Sequence, residues 1–103
     1  MSSQTTWIEV IRLRSAAANL HDLIDRIAAS VIDRVHPDGP LQIRLYRNPA
    51  VGTDLSIHLH LQTDGDRTPV DDTGARLARA LEDYGLVDRT LWIEAQTAKG
   101  RTT

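Results

Sequence analysis

Leu20, Leu23, Ile24, Ile27, Ala28, Val31, Ile32 and Val35 recur at steps that alternate between three and one. That spacing keeps one apolar stripe on a 3.6-residue helix for about four turns. The opposite side carries His21, Asp22, Asp25, Arg26, Asp33 and Arg34. Such a helix must lay one face on an apolar surface and leave the other in water. Ser15 or Asn19 is placed to cap its start. Pro37 pushes His36 out of the helical region, so the helix is predicted to stop near Val35.

The surface that a stripe this long requires is a sheet, and the rest of the chain supplies its strands. "TWIEVIRLR" (6–14) is β-branched and aromatic and reads as the first. Two registers compete there: Trp7, Glu9, Ile11 and Leu13 share one side, and Ile8, Val10, Arg12 and Arg14 the other. Each side mixes apolar and charged groups, so this strand alone does not decide. "LQIRLYRN" (41–48) alternates strictly, with Leu41, Ile43 and Leu45 against Gln42, Arg44, Tyr46 and Asn48. "LSIHLHLQT" (55–63) sets Leu55, Ile57, Leu59 and Leu61 against Ser56, His58, His60 and Gln62. The short "NPAVGTD" loop between these two runs predicts an antiparallel hairpin. "VDDTGARLARALEDYG" (70–85) reads as a second helix, with Asp71 or Asp72 as cap. Gly85 suits a left-handed position just past its end, letting Leu86 pack back on Leu81. "RTLWIEAQT" (89–97) is the last strand, with Leu91, Ile93 and Ala95 against Thr90, Trp92, Glu94 and Gln96.

Strand, helix, strand, strand, helix, strand with right-handed crossovers is the split βαβ, or ferredoxin-like, arrangement. The fold class expected is α+β: a four-stranded antiparallel sheet in the order 4-1-3-2 with two helices on one face. One domain spans 6–97, and the polar ends 1–5 and 98–103 are expected to be frayed. The apolar sides of strands two, three and four meet the helices. The second face then carries Gln42, Arg44, Tyr46, Ser56, His58, His60, Trp92 and Glu94, joined by Trp7 and Glu9 in one register of the first strand. Trp, Tyr and His among few other polar groups suit an interface or a pocket, not an ordinary solvent face.

"WIEVIRL" opening the domain, this element order, and the "YRNP…D…H" hairpin after the long helix resemble the dimeric α+β barrel superfamily. That superfamily includes the antibiotic-biosynthesis monooxygenases. More narrowly, "DLSIHLHLQT" with "LARALEDYGLVDRTLWIEA" is similar to a group of small bacterial proteins of unknown function. The resemblance covers about residues 6–97. It implies a homodimer closed through the sheet faces, with room for a small-molecule ligand between sheet and helices. It also implies oxidation of activated aromatic substrates without metal or organic cofactor, so no cofactor is expected. In that reading His58 or His60 is the base and Arg44 the anchor for an anion, with Tyr46, Trp92 and Glu94 lining the site. Two departures count against enzymes of this kind. The haem-degrading relatives carry an iron-ligand histidine on the second helix, and none stands there in this chain. With two Trp, two Tyr and no Phe, a flat aromatic substrate finds few stacking partners.

The paired histidines admit plainer readings. Residues i and i+2 on a strand lie about 6.7 Å apart and point the same way. His-x-His can therefore hold a metal, but a third ligand is required; Glu9 would be nearest if its register were right. Without a metal, each neutral imidazole can line an interface, bonded to Tyr46, Gln42 or water. Arg44 and Glu94 can likewise be a structural ion pair instead of a substrate anchor. No metal site is assigned. A formal net charge of −2 and arginines interleaved with acids give no case for nucleic acid or an anionic membrane. The absence of cysteine excludes disulfides and a thiol nucleophile and suits a reducing compartment. No basic segment precedes a long apolar run, so no signal peptide is read and the expected address is the cytoplasm.

Overall fold

The structure, a computed structural model, describes residues 3–16, 20–31, 35 and 39–95. Its elements are β1 (Gln4–Ser15), α1 (Leu20–Val31), β2 (Gln42–Arg47), β3 (Asp54–Asp64), α2 (Thr73–Leu81), a 3₁₀ turn (Glu82–Tyr84) and β4 (Gly85–Ile93). The four strands form one antiparallel sheet in the order β2-β3-β1-β4. This is the expected 4-1-3-2 counted from the opposite edge. The order of elements and of strands is that of the ferredoxin-like arrangement.

β1 and β3 are the central strands, and their alternation decides where the core sits. Ile11 and Leu13 of β1 and Leu55, Ile57 and Leu59 of β3 are almost wholly buried. Leu23, Ile27 and Val31 of α1 and Leu77 and Leu81 of α2 belong to the same cluster. Both helices therefore cover one face. Each Leu or Ile buried so completely stabilises the fold by about 1.5–3 kcal/mol relative to an exposed position. The α1 stripe runs through Leu20, Leu23, Ile24, Ile27 and Val31, whereas Ala28 is exposed. Val35 lies outside the helix; the cap assigned to Asn19 and the turn at His36 and Pro37 fall outside the described residues.

The register of β1 is settled by its neighbours. Trp7, Glu9, Ile11 and Leu13 pair with Leu61, Leu59, Ile57 and Leu55, so they share the helix-covered face. Ile8, Val10, Arg12 and Arg14 lie on the uncovered face. Glu9 is only 8% exposed, and its carboxylate lies against Gly74 in the first turn of α2. A methyl group added at Gly74 would overlap that carboxylate, so the glycine makes room for it.

The second helix differs from expectation at its C-terminal end. It begins at Thr73, whose backbone N–H donates to Asp71 Oδ2 at 3.1 Å, while Asp72 instead pairs with Arg76 at 2.9 Å. It ends at Leu81, and Gly85 is not a left-handed cap: it opens β4 with extended backbone. Leu86, expected to fold back on Leu81, is 74% exposed on the uncovered face. The 3₁₀ turn takes up the chain reversal, and β4 starts four residues before the run that sequence assigned to it. Leu91 and Ile93 lie on the helix side, but β4 is an edge strand there and both remain about half exposed.

Gly85 sits where β1 and β4 approach most closely, opposite Ser15. A Cβ at this position would overlap the carbonyl oxygen of Arg14, a backbone atom that cannot swing aside. Gly85→Ala is expected to cost about 1–3 kcal/mol in urea denaturation, because relief requires moving a strand and not a side chain.

Candidate functional site

The uncovered face has four rows of side chains that follow from the registers. On β3, Ser56, His58 and His60 stand in line. His58 lies between Val10 of β1 and Arg44 of β2; His60 lies between Ile8 and Gln42. Tyr46 is opposite Ser56. Across β1, Ile8 faces Trp92 and Val10 faces Thr90. Arg44, Tyr46, His58 and His60 are thus neighbours. Trp92 is separated from His60 by the width of β1, and Glu94 follows the end of β4, its backbone N–H bonded to Thr6 O at 2.9 Å.

The Tyr46 and His58 rings lie 4.5 Å apart between centroids and are tilted by 49°, a favourable aromatic contact. His58 Nε2 and Ser56 Oγ share a hydrogen bond of 2.9 Å. Burial pushes the His58 imidazole below its ordinary value, and the neighbouring His60 pushes it the same way. The ring is therefore held neutral at physiological pH. His60 Nε2 is buried and has no hydrogen-bond partner among the described residues. A polar atom in that state has lost water without replacement, which is costly unless something else meets it. Trp92 is 61% and Tyr46 42% exposed, and Trp92 Nε1 donates to Thr90 Oγ1 at 2.9 Å.

Glu9 does not join the histidines. It lies on the opposite side of the sheet, so the third metal ligand considered from sequence is absent. No group of three or more His, Asp or Glu suited to a metal occurs among the described residues. Burial pushes the Glu9 carboxyl above its ordinary value; Arg89, 3.3 Å away, opposes this and Asp71 adds to it. Trp7 is also on the helix side, where its Nε1 donates to Thr63 Oγ1 at 2.9 Å.

Two residues that sequence reasoning left undecided form the middle of this face: Ile8 and Val10. Their signal was present in Ile11 and Leu13, which are purely apolar on one side with Arg12 and Arg14 on the other. Glu9 concealed it, because a carboxylate normally marks the solvent side. Two hollows of about 470 and 650 Å³ lie toward the two ends of the sheet, and neither is lined by His58, His60, Arg44 or Trp92. No described helix is long and apolar enough to cross a membrane.

The fold and face define an α+β domain whose four-stranded antiparallel sheet is covered by helices on one side only. Comparison with family models, with curated proteins and with solved structures finds no match to this chain.

The two shifted groups give opposite pH signatures. His58 titrates lower in the folded chain than unfolded, so its contribution to stability is present above its ordinary value of 6.5 and is lost as pH falls through the lower folded value. His58→Gln should flatten the decline in urea stability on the acid side of neutrality. Glu9 titrates higher when folded, so its contribution is present below its ordinary value of 4.5 and is lost as pH rises through the folded value. Glu9→Gln should remove that loss and be at least as stable as wild type at neutral pH, despite breaking the contact to Arg89.

Proposed function

We propose that this chain is a homodimerising domain in which the uncovered sheet faces of two copies close over one another, with space for a small ligand between them. The observation that supports this best is the uncovered face itself. Its middle is Ile8 and Val10, flanked by half-buried His58 and His60 on one side and Trp92 on the other. An apolar and aromatic centre with Arg12, Arg44 and Asp88 around it has the composition of an interface: few charges in the middle, aromatics and arginine enriched. A second copy is the fitting occupant because the face carries both signs of charge along with its apolar centre, as a self-complementary twofold contact requires. A chain of 103 residues also leaves much of its surface in water, and pairing buries more of it.

A second reading, general-base chemistry in the closed interior, draws on one specific feature. His58 is held neutral and is oriented by Ser56 and Tyr46, which is the state a base near neutral pH needs. Arg44 beside it would anchor an anionic substrate. The pairing reading does not depend on this chemistry.

Light scattering on the purified chain should give twice the protomer mass. Ile8→Lys places a charge in the middle of the face and should give the protomer mass with a circular-dichroism spectrum like wild type. A wild-type chain that stays a protomer at high concentration would refute the proposal.

A further inference from the structure

We infer that the hollow of about 470 Å³ at one end of the uncovered face is a site for a small organic anion with an apolar body. This goes beyond the pairing of the sheets and does not rest on it, because the hollow is complete within one chain. It is lined by Arg12 and Arg14 of β1, Tyr46 and Ser56 of the hairpin, and Leu86 and Asp88 of β4. Its volume is within the range of small-molecule sites.

The charges around the hollow are not evenly matched. Arg12 is committed: its Nε and a terminal nitrogen donate to Asp88 Oδ2 at 3.2 and 2.7 Å. Asp88 is thereby neutralised. Arg14 is only loosely held, its Nε 3.6 Å from Asp54 Oδ1. Arg47 also lines the hollow and forms no ion pair among the described residues. Arg47 stands opposite Leu55 and so points to the helix-covered side, which leaves Arg14, held only at 3.6 Å, as the guanidinium with donors to offer a negative ligand. Arginine binds carboxylate and phosphate oxygens through paired N–H groups, which gives geometric preference as well as attraction.

The remaining walls are apolar and face water. Leu86 is 74% exposed and Tyr46 42% exposed. Exposed charges alone attract an anion weakly, because water and salt screen them. A ligand that also covers Leu86 and the Tyr46 ring removes apolar surface from water, and the two effects act together. The hollow adjoins the histidine row through Ser56, which bonds His58, and through the Tyr46 ring that packs on it. The ligand class is therefore an aromatic or branched aliphatic carboxylate, or a phosphate ester of similar size.

Benzoate is a suitable probe, followed by ¹H–¹⁵N correlation spectra of the full chain. Saturable shifts are expected at the amides of Arg12–Arg14, Tyr46, Ser56 and Leu86–Asp88, with a dissociation constant of about 1 mM for a probe this small. Inorganic phosphate, with charge but no body, and benzyl alcohol, with body but no charge, should each bind more weakly. Arg14→Gln should weaken benzoate by about fivefold. Asp54→Asn should tighten it, because it frees Arg14 from its competing carboxylate. Both positions are on the surface, and the second variant reads a gain that misfolding cannot imitate. Ile8→Lys should bind benzoate as wild type does, whether or not the sheets pair, so failure of the site and failure of pairing are separate outcomes. The inference is overturned by no saturation up to about 50 mM, by equal shifts with benzyl alcohol, by shifts centred elsewhere, or by indifference to both Arg14→Gln and Asp54→Asn.

Discussion

A sheet has two faces, and the helices among the described residues cover only one of them. The apolar rows of β1 and β3 are buried almost completely beneath α1 and α2. What lies on the reverse of the same two strands is fixed by the pleat: every residue next to a core leucine or isoleucine points the other way. The placing of His58, His60, Ile8 and Val10 on an uncovered surface is therefore a direct result of packing Leu55, Ile57, Leu59, Ile11 and Leu13 beneath the helices. A shift of one residue in either central strand would exchange the two sets.

Much of this was legible in the sequence. Strict alternation along β2 and β3 gave the correct face to Arg44, Tyr46, His58 and His60, because on these strands every apolar residue goes inward. The α1 stripe gave the sheet its cover. Strand β1 was not legible, because Glu9 stands among its inward residues. That carboxylate is tolerated under α2 only through Gly74, which leaves space, and Arg89, which offsets charge. A contact between residues so distant in the chain leaves no local pattern. Helix α2 misled at its end for a related reason. Gly85 marks a close backbone approach between β1 and β4 instead of a helix cap, and both uses favour glycine. The candidate site was accordingly half legible: its β2–β3 side could be read, but its apolar centre on β1 and the concave end that involves Leu86 could not.

The electrostatics follow the same division. On the helix side, one carboxylate is buried and shifted upward. On the open side, Arg12, Arg14, Asp54 and Asp88 gather at one end, Arg44 stands beside His58, and the middle is left to imidazoles and aliphatic groups. The centre and the concave end are different kinds of surface made by the same four strands. One is shaped for breadth of contact and the other for enclosure of something small.

Among the described residues β4 has a partner on only one side, so alternate residues along it turn their backbone donors and acceptors to the surroundings. Leu86, Leu91, Trp92 and Ile93 along it are all substantially exposed. Long, apolar borders of this kind are templates for uncontrolled strand addition and fibre growth. Asp88 and Arg89 interrupt the apolar stretch midway, each tethered inward, to Arg12 and to Glu9. These two ion pairs, modest as sources of stability, have a second consequence as gatekeepers: they keep charge on the border where a stray chain would otherwise dock.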